Sequence, residues 1–476
     1  MRKTLLCLFA GSVLVAHANV RIVATSAELQ SFFGTSAVKL AYVESKQLRV
    51  IDFSQTTPSA LTLLGTTGAI APQFAPNGDW LVYGQGPVSD MTNNASVKSA
   101  AYLIPATGGT PTLAVADAAH EPRFRRSTGT PTLVYSTLGV WDGWKGLGET
   151  RIMPVDLSTA QPKLGTATTL ASSGSYYGGA NDSYIATGSS RAVMSKLSDS
   201  PLVPQITLAY SLSKTGSAVD NSERQACNTS IYPGTEYPNV MMSLDFGSAS
   251  QSNAQINSLK PWGLHDVLFL TRYDGSFVAH FLRPERAAFP SFADESYTSH
   301  HFDDAEWSNH PYFAVLNIQV SRAFPDAVGE WVNEEQHEIL LALDLRSGKP
   351  LVLAQTEKVG LGVTSDLQWP NLWVDRNSAG APVVTADWMD NITSPVLAPR
   401  MRKQSNELIF SGRSVFAQEP IGGLRSVDIQ GVMVPWIQAD ATGFRWSAPA
   451  GLQGVQVLVG TTSRGITVSK TIWLER

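Results

Sequence analysis

A short apolar strand recurs along this chain at a near-constant interval, and that period constrains the fold more than any other feature. Copies begin at Leu40, Leu81, Leu133, Tyr184, Val267, Phe313 and Leu372. Their starts lie roughly 40 to 60 residues apart, with one wider gap of about 80, against the ~40 to 50 residues of a four-stranded propeller blade. The clearest copy is preceded by Pro72-Gln73-Phe74 and the turn Pro76-Asn77-Gly78-Asp79, then returns as Trp80-Leu81-Val82-Tyr83. Pro76 fixes φ for the first corner, Asn77 tolerates left-handed geometry, and Gly78 takes positive φ at no steric cost.

Further strands follow several copies. Leu48 to Asp52, Arg151 to Asp156 and Ile339 to Asp344 alternate apolar residues and end in Asp, and outer strands such as Leu61 to Leu64 and Pro350 to Leu353 come next. The expected architecture is all-β, a six- or seven-bladed β-propeller over residues 19–395 with seven blades preferred, followed by a small C-terminal β-sandwich over 400–476. A sandwich or β-helix would explain short strands but not the period. The wide gap, about 198–260, reads as an insertion that covers one propeller face, although Val240 to Gly247 within it has the pattern of a blade strand.

Composition agrees with many short strands joined by turns. Of 476 residues 16% are charged, against an average of about 25%, and there are 38 Gly and 27 Pro. A formal charge of −5 leaves no basic footprint for nucleic acid. Arg2 and Lys3, the apolar run Leu5 to Val15, and Ala16-His17-Ala18 predict a signal peptide over 1–18 and export. Cys7 falls inside it, so Cys227 is left without an intramolecular partner and reads as buried and inert. No later stretch reaches the ~18 apolar residues of a spanning helix.

The Pro-x-Phe-x-Pro-Asn-Gly-Asp hairpin at 72–79 resembles the repeat of TolB-like (WD40-like) periplasmic propellers, and Asp344 to Lys349 resembles an exposed blade turn of the same group. The tail resembles the C-terminal sorting domain of type IX secretion cargo: Val427 to Gly431, Trp446, Leu452 to Val459 and Lys470 to Leu474 match in order and spacing, with Gln456 where Tyr is usual. The resemblance implies contact with the secretion machinery and a secreted or cell-surface location, with the periplasm as the alternative. A fibronectin-like accessory sandwich would share the same architecture.

The densest polar cluster runs from His300 to His310. Imidazoles beside carboxylates suit a divalent metal or an acid/base pair, and some TolB-like lyases of uronate oligomers use propeller-face histidines with a metal. His265, His301, Asp304 and Glu306 are the catalytic candidates. Against this stands their position in the repeat, where residues serve turns and blade packing. His120, Trp141, Trp144, Tyr177 and Trp369 are ligand-binding candidates, the rings being either stacking surfaces for sugars or blade packing. No Gly-x-Ser-x-Gly, His-Glu-x-x-His, P-loop or Cys-x-x-Cys occurs. The expected role is binding of a polysaccharide or protein partner, with no cofactor predicted and a divalent metal left open. The alternatives are a lyase or glycoside hydrolase acting on plant-type glycans, and an envelope scaffold.

Overall fold

The computed structural model describes residues 20–86, 100–116, 119–126, 129–137, 140–142, 145–147, 149–172, 179–188, 192–200, 202, 204–208, 226–246, 264–275, 277–285, 288–292, 299–325, 331–357, 367–385, 388–389 and strands between 409 and 474. The predicted signal peptide lies outside them. The chain divides into two units, Met1–Pro395 and Val396–Arg476.

The first unit opens with β1 (Val20–Ile22) and α1 (Ser26–Phe33). Thr25 caps the helix: its hydroxyl accepts from the Glu28 amide at 3.3 Å, and the Glu28 carboxylate accepts from the Thr25 amide at 2.8 Å. Gly34 ends the helix at φ 73. Leu29 and Phe33 form its buried face, and Phe33 meets Phe313 edge to face.

Antiparallel sheets follow. β2 (Val38–Glu44), β3 (Gln47–Asp52) and β4 (Ala60–Thr62) come first, then β5 (Ala69–Phe74), β6 (Trp80–Gln85), β7 (Ala100–Pro105) and β8 (Thr112–Val115). The next sheet holds β9 (Ala119–Phe124), β10 (Thr132–Thr137), β13 (Thr150–Asp156), β14 (Lys163–Leu164) and β15 (Thr168–Ala171), with β11 (Val140–Asp142) and β12 (Lys145–Leu147) as a separate hairpin. A three-stranded sheet comprises β16 (Tyr184–Gly188), β17 (Ala192–Lys196) and β18 (Pro204–Leu208). Then come β19 (Ala226–Ile231), β20 (Val240–Phe246), β21 (Leu264–Arg272) and β22 (Phe277–Leu282), and after them β23 (Ser299–Trp307), β24 (Phe313–Pro325), β25 (Trp331–Asp344) and β26 (Lys349–Thr356), onto which β1 adds a fifth strand. β27 (Leu367–Val374) returns to pair with β2.

This is a β-propeller. Among the described residues five blades carry four or more strands, and their innermost strands are β27, β5, β9, β19 and β23. Leu40 pairs with Leu372, so two copies of the apolar motif belong to one blade, and β27 is its inner strand rather than the return strand of another. Val267 likewise lies in a third strand: β19 and β20, inside the expected insertion, are the first two strands of that blade.

All five inner strands share a bulge. Ala71-Pro72, Glu121-Pro122, Asn228-Thr229, Asp304-Ala305 and Trp369-Pro370 each place two residues opposite one on the neighbouring strand. The first residue is left-handed at Ala71, Asn228, Asp304 and Trp369, with φ of 44°, 46°, 39° and 51°. Proline fits the second position because no ladder hydrogen bond is needed there.

Beyond the bulge a polar side chain reaches the next blade. Asn371 accepts the Phe74 amide at 3.0 Å, Gln73 accepts the Phe124 amide, and the Ser230 hydroxyl accepts the Trp307 amide at 3.1 Å. Inner strands have one unpaired edge, and these side chains satisfy amides that the sheet leaves open.

The second unit contains β28 (Ile409–Ser411), β29 (Ser414–Phe416), β30 (Ile421–Asp428), β31 (Met433–Pro435), β32 (Ile437–Gln438), β33 (Arg445–Ser447), β34 (Gly454–Thr462) and β35 (Thr467–Leu474). They pair as two four-stranded sheets, β28-β29-β33-β32 and β31-β30-β34-β35. No helix among the described residues is long and apolar enough to cross a membrane.

Candidate functional site

The candidate residues are spread over several strands: His301, Asp304 and Glu306 lie on the inner strand β23, His120 on β9, Trp369 on β27, His265 at the start of the third strand β21, and Trp141 on the β11 hairpin. His265 and His301 approach each other between adjacent blades, with ring centroids 6.3 Å apart. His265 Nδ1 lies 3.0 Å from the Phe302 carbonyl and 4.0 Å from the Asp303 carboxylate. Burial lowers the pKa of both imidazoles, while the Asp303 charge opposes that shift. Asp304 is half-buried, and its carboxylate accepts the Trp369 amide at 2.9 Å. Burial first, then the Asp303 charge, raises its pKa well above the carboxylate range.

Glu306 has a different role. It pairs with Arg123 at 2.5 Å and accepts from the Ser230 hydroxyl at 2.9 Å, so it is engaged between blades and turned toward the axis. Trp369 is half-buried against the core between its own blade and the next. His120 lies in β9 opposite Ser136, and Trp141 in β11 opposite Gly146; their side chains, and Trp144 and Tyr177 entirely, lie outside the described residues. Among the described residues no group of three His, Cys, Asp or Glu side chains is placed to hold a metal ion.

Near the axis, inner-strand residues of four blades, among them Gln73, Phe124, Trp307 and Asn371, with Pro233 from the loop after β19, surround a void of about 10 Å³, room for about one water.

At the trailing ends of the same strands the ring opens into a groove of about 930 Å³, near the upper limit of the ~300–1,000 Å³ usual for ligand sites. Pro76 and Asn77 line it from the turn after β5, Glu236 from the loop after β19, Asn309 from the turn after β23, and Trp373, Asp375 and Arg376 from the end of β27. Glu236 and Arg376 pair at 2.6 Å, and the Tyr232 hydroxyl donates to Glu236 at 3.1 Å. Burial pushes the Glu236 pKa upward, but Arg376 and Tyr232 outweigh it and hold the carboxyl below its usual range.

A strap over 381–385 forms the remaining wall. It is tied down by His310 Nε2, which donates to the Pro382 carbonyl at 3.1 Å, and by the Tyr312 hydroxyl, which donates to the Val383 carbonyl at 3.0 Å. Tyr237 donates to the Thr385 carbonyl at 2.6 Å. Val383 points outward, 85% exposed.

The turn that dominates the sequence sits on this rim. Gly78 packs on Trp373, where an added Cβ would stand 2.4 Å from the indole. Lys39 donates to the Gly78 carbonyl at 2.8 Å, and Trp373 Nε1 donates to the Pro76 carbonyl at 3.0 Å. Glu236 and Arg376 escaped the sequence reading because neither belongs to a repeated motif; their position directly after inner strands was the available signal.

The fold and both ends of the ring define a β-propeller, and comparison with known proteins goes no further. No protein-family profile matches the chain, and no curated protein matches its sequence. A chain from the nidogen/laminin complex aligns with TM-score 0.36 and 10% identity over 70% of this chain and 98% of its own. A protein assigned as TolB from Agrobacterium tumefaciens aligns with TM-score 0.26 and 13% identity over 68% of this chain and 80% of its own. One assigned as a 6-phosphogluconolactonase from Bacteroides uniformis aligns with TM-score 0.32 and 9% identity over 93% and 98%.

Proposed function

We propose that this chain is an exported propeller that binds a polysaccharide or protein partner in the groove at the trailing ends of its inner strands. The observation that carries this reading is the groove itself: it is large, it gathers loops from several blades, and it combines an indole with amide and ion-paired groups. Binding is preferred to catalysis because Glu306 is committed to Arg123 and Asp304 to the Trp369 amide. A lyase or hydrolase would have to work through His265 and His301 at the opposite end.

On this reading the β16–β18 sheet is a sixth blade. Ala180 bridges Ile185 in front of β16, where an inner strand belongs. The signal-peptide pattern supports export, and the motifs of the tail support a type IX sorting domain folded as a sandwich and a destination at the cell surface. An envelope scaffold is the remaining alternative.

The test is a thermal-shift and turnover assay of residues 19–476 with plant-wall oligosaccharides, with and without Ca²⁺ or Mn²⁺. Binding raises the melting temperature by mass action. A shift retained in His265→Ala and His301→Ala, with no turnover in the parent, is expected. Turnover abolished by either substitution would replace this reading with the enzymatic one.

A further inference from the structure

We infer that the groove takes an uncharged, hydroxyl-rich glycan rather than an acidic one, an inference that rests on the groove being the binding site. The argument is charge accounting. Among the described lining residues the base is Arg376 and the acids are Glu236 and Asp375. Arg376 is committed to Glu236 at 2.6 Å, and it also approaches the Tyr232 hydroxyl at 3.4 Å. Lys39, over the lining Trp373 ring, is held by the Gly78 carbonyl and lies 3.5 Å from Asp79. Neither cation is available to a uronate or sulfate without breaking an existing pair.

The lining therefore presents excess negative charge, and the field inside a cleft repels a polymer of the same sign. Asp375 is occupied by the Asn377 amide at 3.0 Å and the Ser378 hydroxyl at 2.9 Å. What remains for a ligand is the side-chain amide of Asn377, which both donates and accepts, and the amide nitrogen of Asn77, whose oxygen accepts from the Asp79 amide at 3.1 Å, beside the apolar surfaces of Trp373 and Val383. Sugar hydroxyls fit the amides, and the C–H face of a pyranose fits the apolar surface. A chain of carboxylates fits neither.

The experiment is isothermal titration of residues 19–476 at low salt with neutral hexose and pentose oligosaccharides and with oligouronates of equal length. Asn377→Ala and Val383→Asp are the groove variants, both at exposed positions where the melting temperature should hold. Expected is binding of a neutral oligosaccharide at least about tenfold tighter than any oligouronate, weakened about tenfold by either variant, a change of about 1.4 kcal/mol. Oligouronate binding that is equal or tighter and is lost in the variants would overturn the inference while keeping the groove. Glycan binding untouched by both variants would overturn the groove reading itself. No glycan bound at millimolar concentration would overturn the inference and leave a protein as the occupant.

Discussion

Arg123 and Glu306 join blades that are not neighbours. Arg123 stands on β9 and Glu306 on β23, so their 2.5 Å ion pair crosses the axis of the ring. Both are buried, at 5% and 8% exposure. Truncating one partner strands the other charge, which costs about 3–5 kcal/mol. Arg123→Met or Glu306→Gln should lower stability by that order in urea unfolding. The double variant Arg123→Met with Glu306→Leu should recover much of the loss, and a double variant as unstable as the sum of the singles would show that the pair is not coupled.

Gly78→Ala should destabilise through both backbone and packing. The residue sits at φ 71, and its new Cβ would meet the Trp373 ring. Left-handed geometry alone costs a non-glycine residue about 1–2 kcal/mol. A lower melting temperature with altered indole fluorescence is expected, and an unchanged one would dissociate the turn from Trp373.

Acid should weaken the fold before carboxylates matter. Burial, with a smaller opposing contribution from the Pro382 carbonyl, pushes His310 from 6.5 down to about 4, and His265, His280 and His301 are lowered in the same way. Each folded-state value lies below the unfolded one, so the unfolded chain takes protons first. Stability is full above about pH 6.5 and falls toward pH 4, by roughly 3 kcal/mol from His310 alone. Denaturant midpoints across this range should show a shallower slope for His310→Gln.

Asp304 has the opposite sign. Its folded-state pKa is raised, so the native state holds a proton that the unfolded state releases, and stability is lost as pH rises. Asp304→Asn keeps an acceptor for the Trp369 amide without the titration. The variant should melt higher than the parent at pH 8, with the difference shrinking toward pH 4.

Tyr312→Phe should loosen the strap. It removes the donor to Val383, which Tyr312 also shares with the Thr385 amide as an acceptor at 2.8 Å. A loss of about 1 kcal/mol is typical of one such bond. Faster proteolytic cleavage within 381–389, with the blades intact, is the expected signature.

The propeller was legible because Leu40, Leu81, Leu133 and Phe313 do begin second strands or lie within them. Leu372 and Val267 were misplaced for a physical reason: inner and second strands are largely buried on both faces, and the run from Val267 to Leu270 in the third strand β21 is buried as well, so an apolar run does not reveal its position in the blade. The capping box of Thr25 and Glu28 and the terminal Gly34 were readable and announce α1, although the strand period drew no attention to them. The groove was opaque because Glu236 and Arg376 lie 140 positions apart and meet only when the ring closes.

Closure has a consequence for how the molecule is made. Phe74 and Asn371 are 297 positions apart, and β2 has no inner neighbour until β27 arrives. A growing chain must carry an open sheet edge through most of its synthesis, a state prone to pairing with other strands. Only the arrival of β27, the last strand of the ring, covers that edge of β2 and ends the exposure.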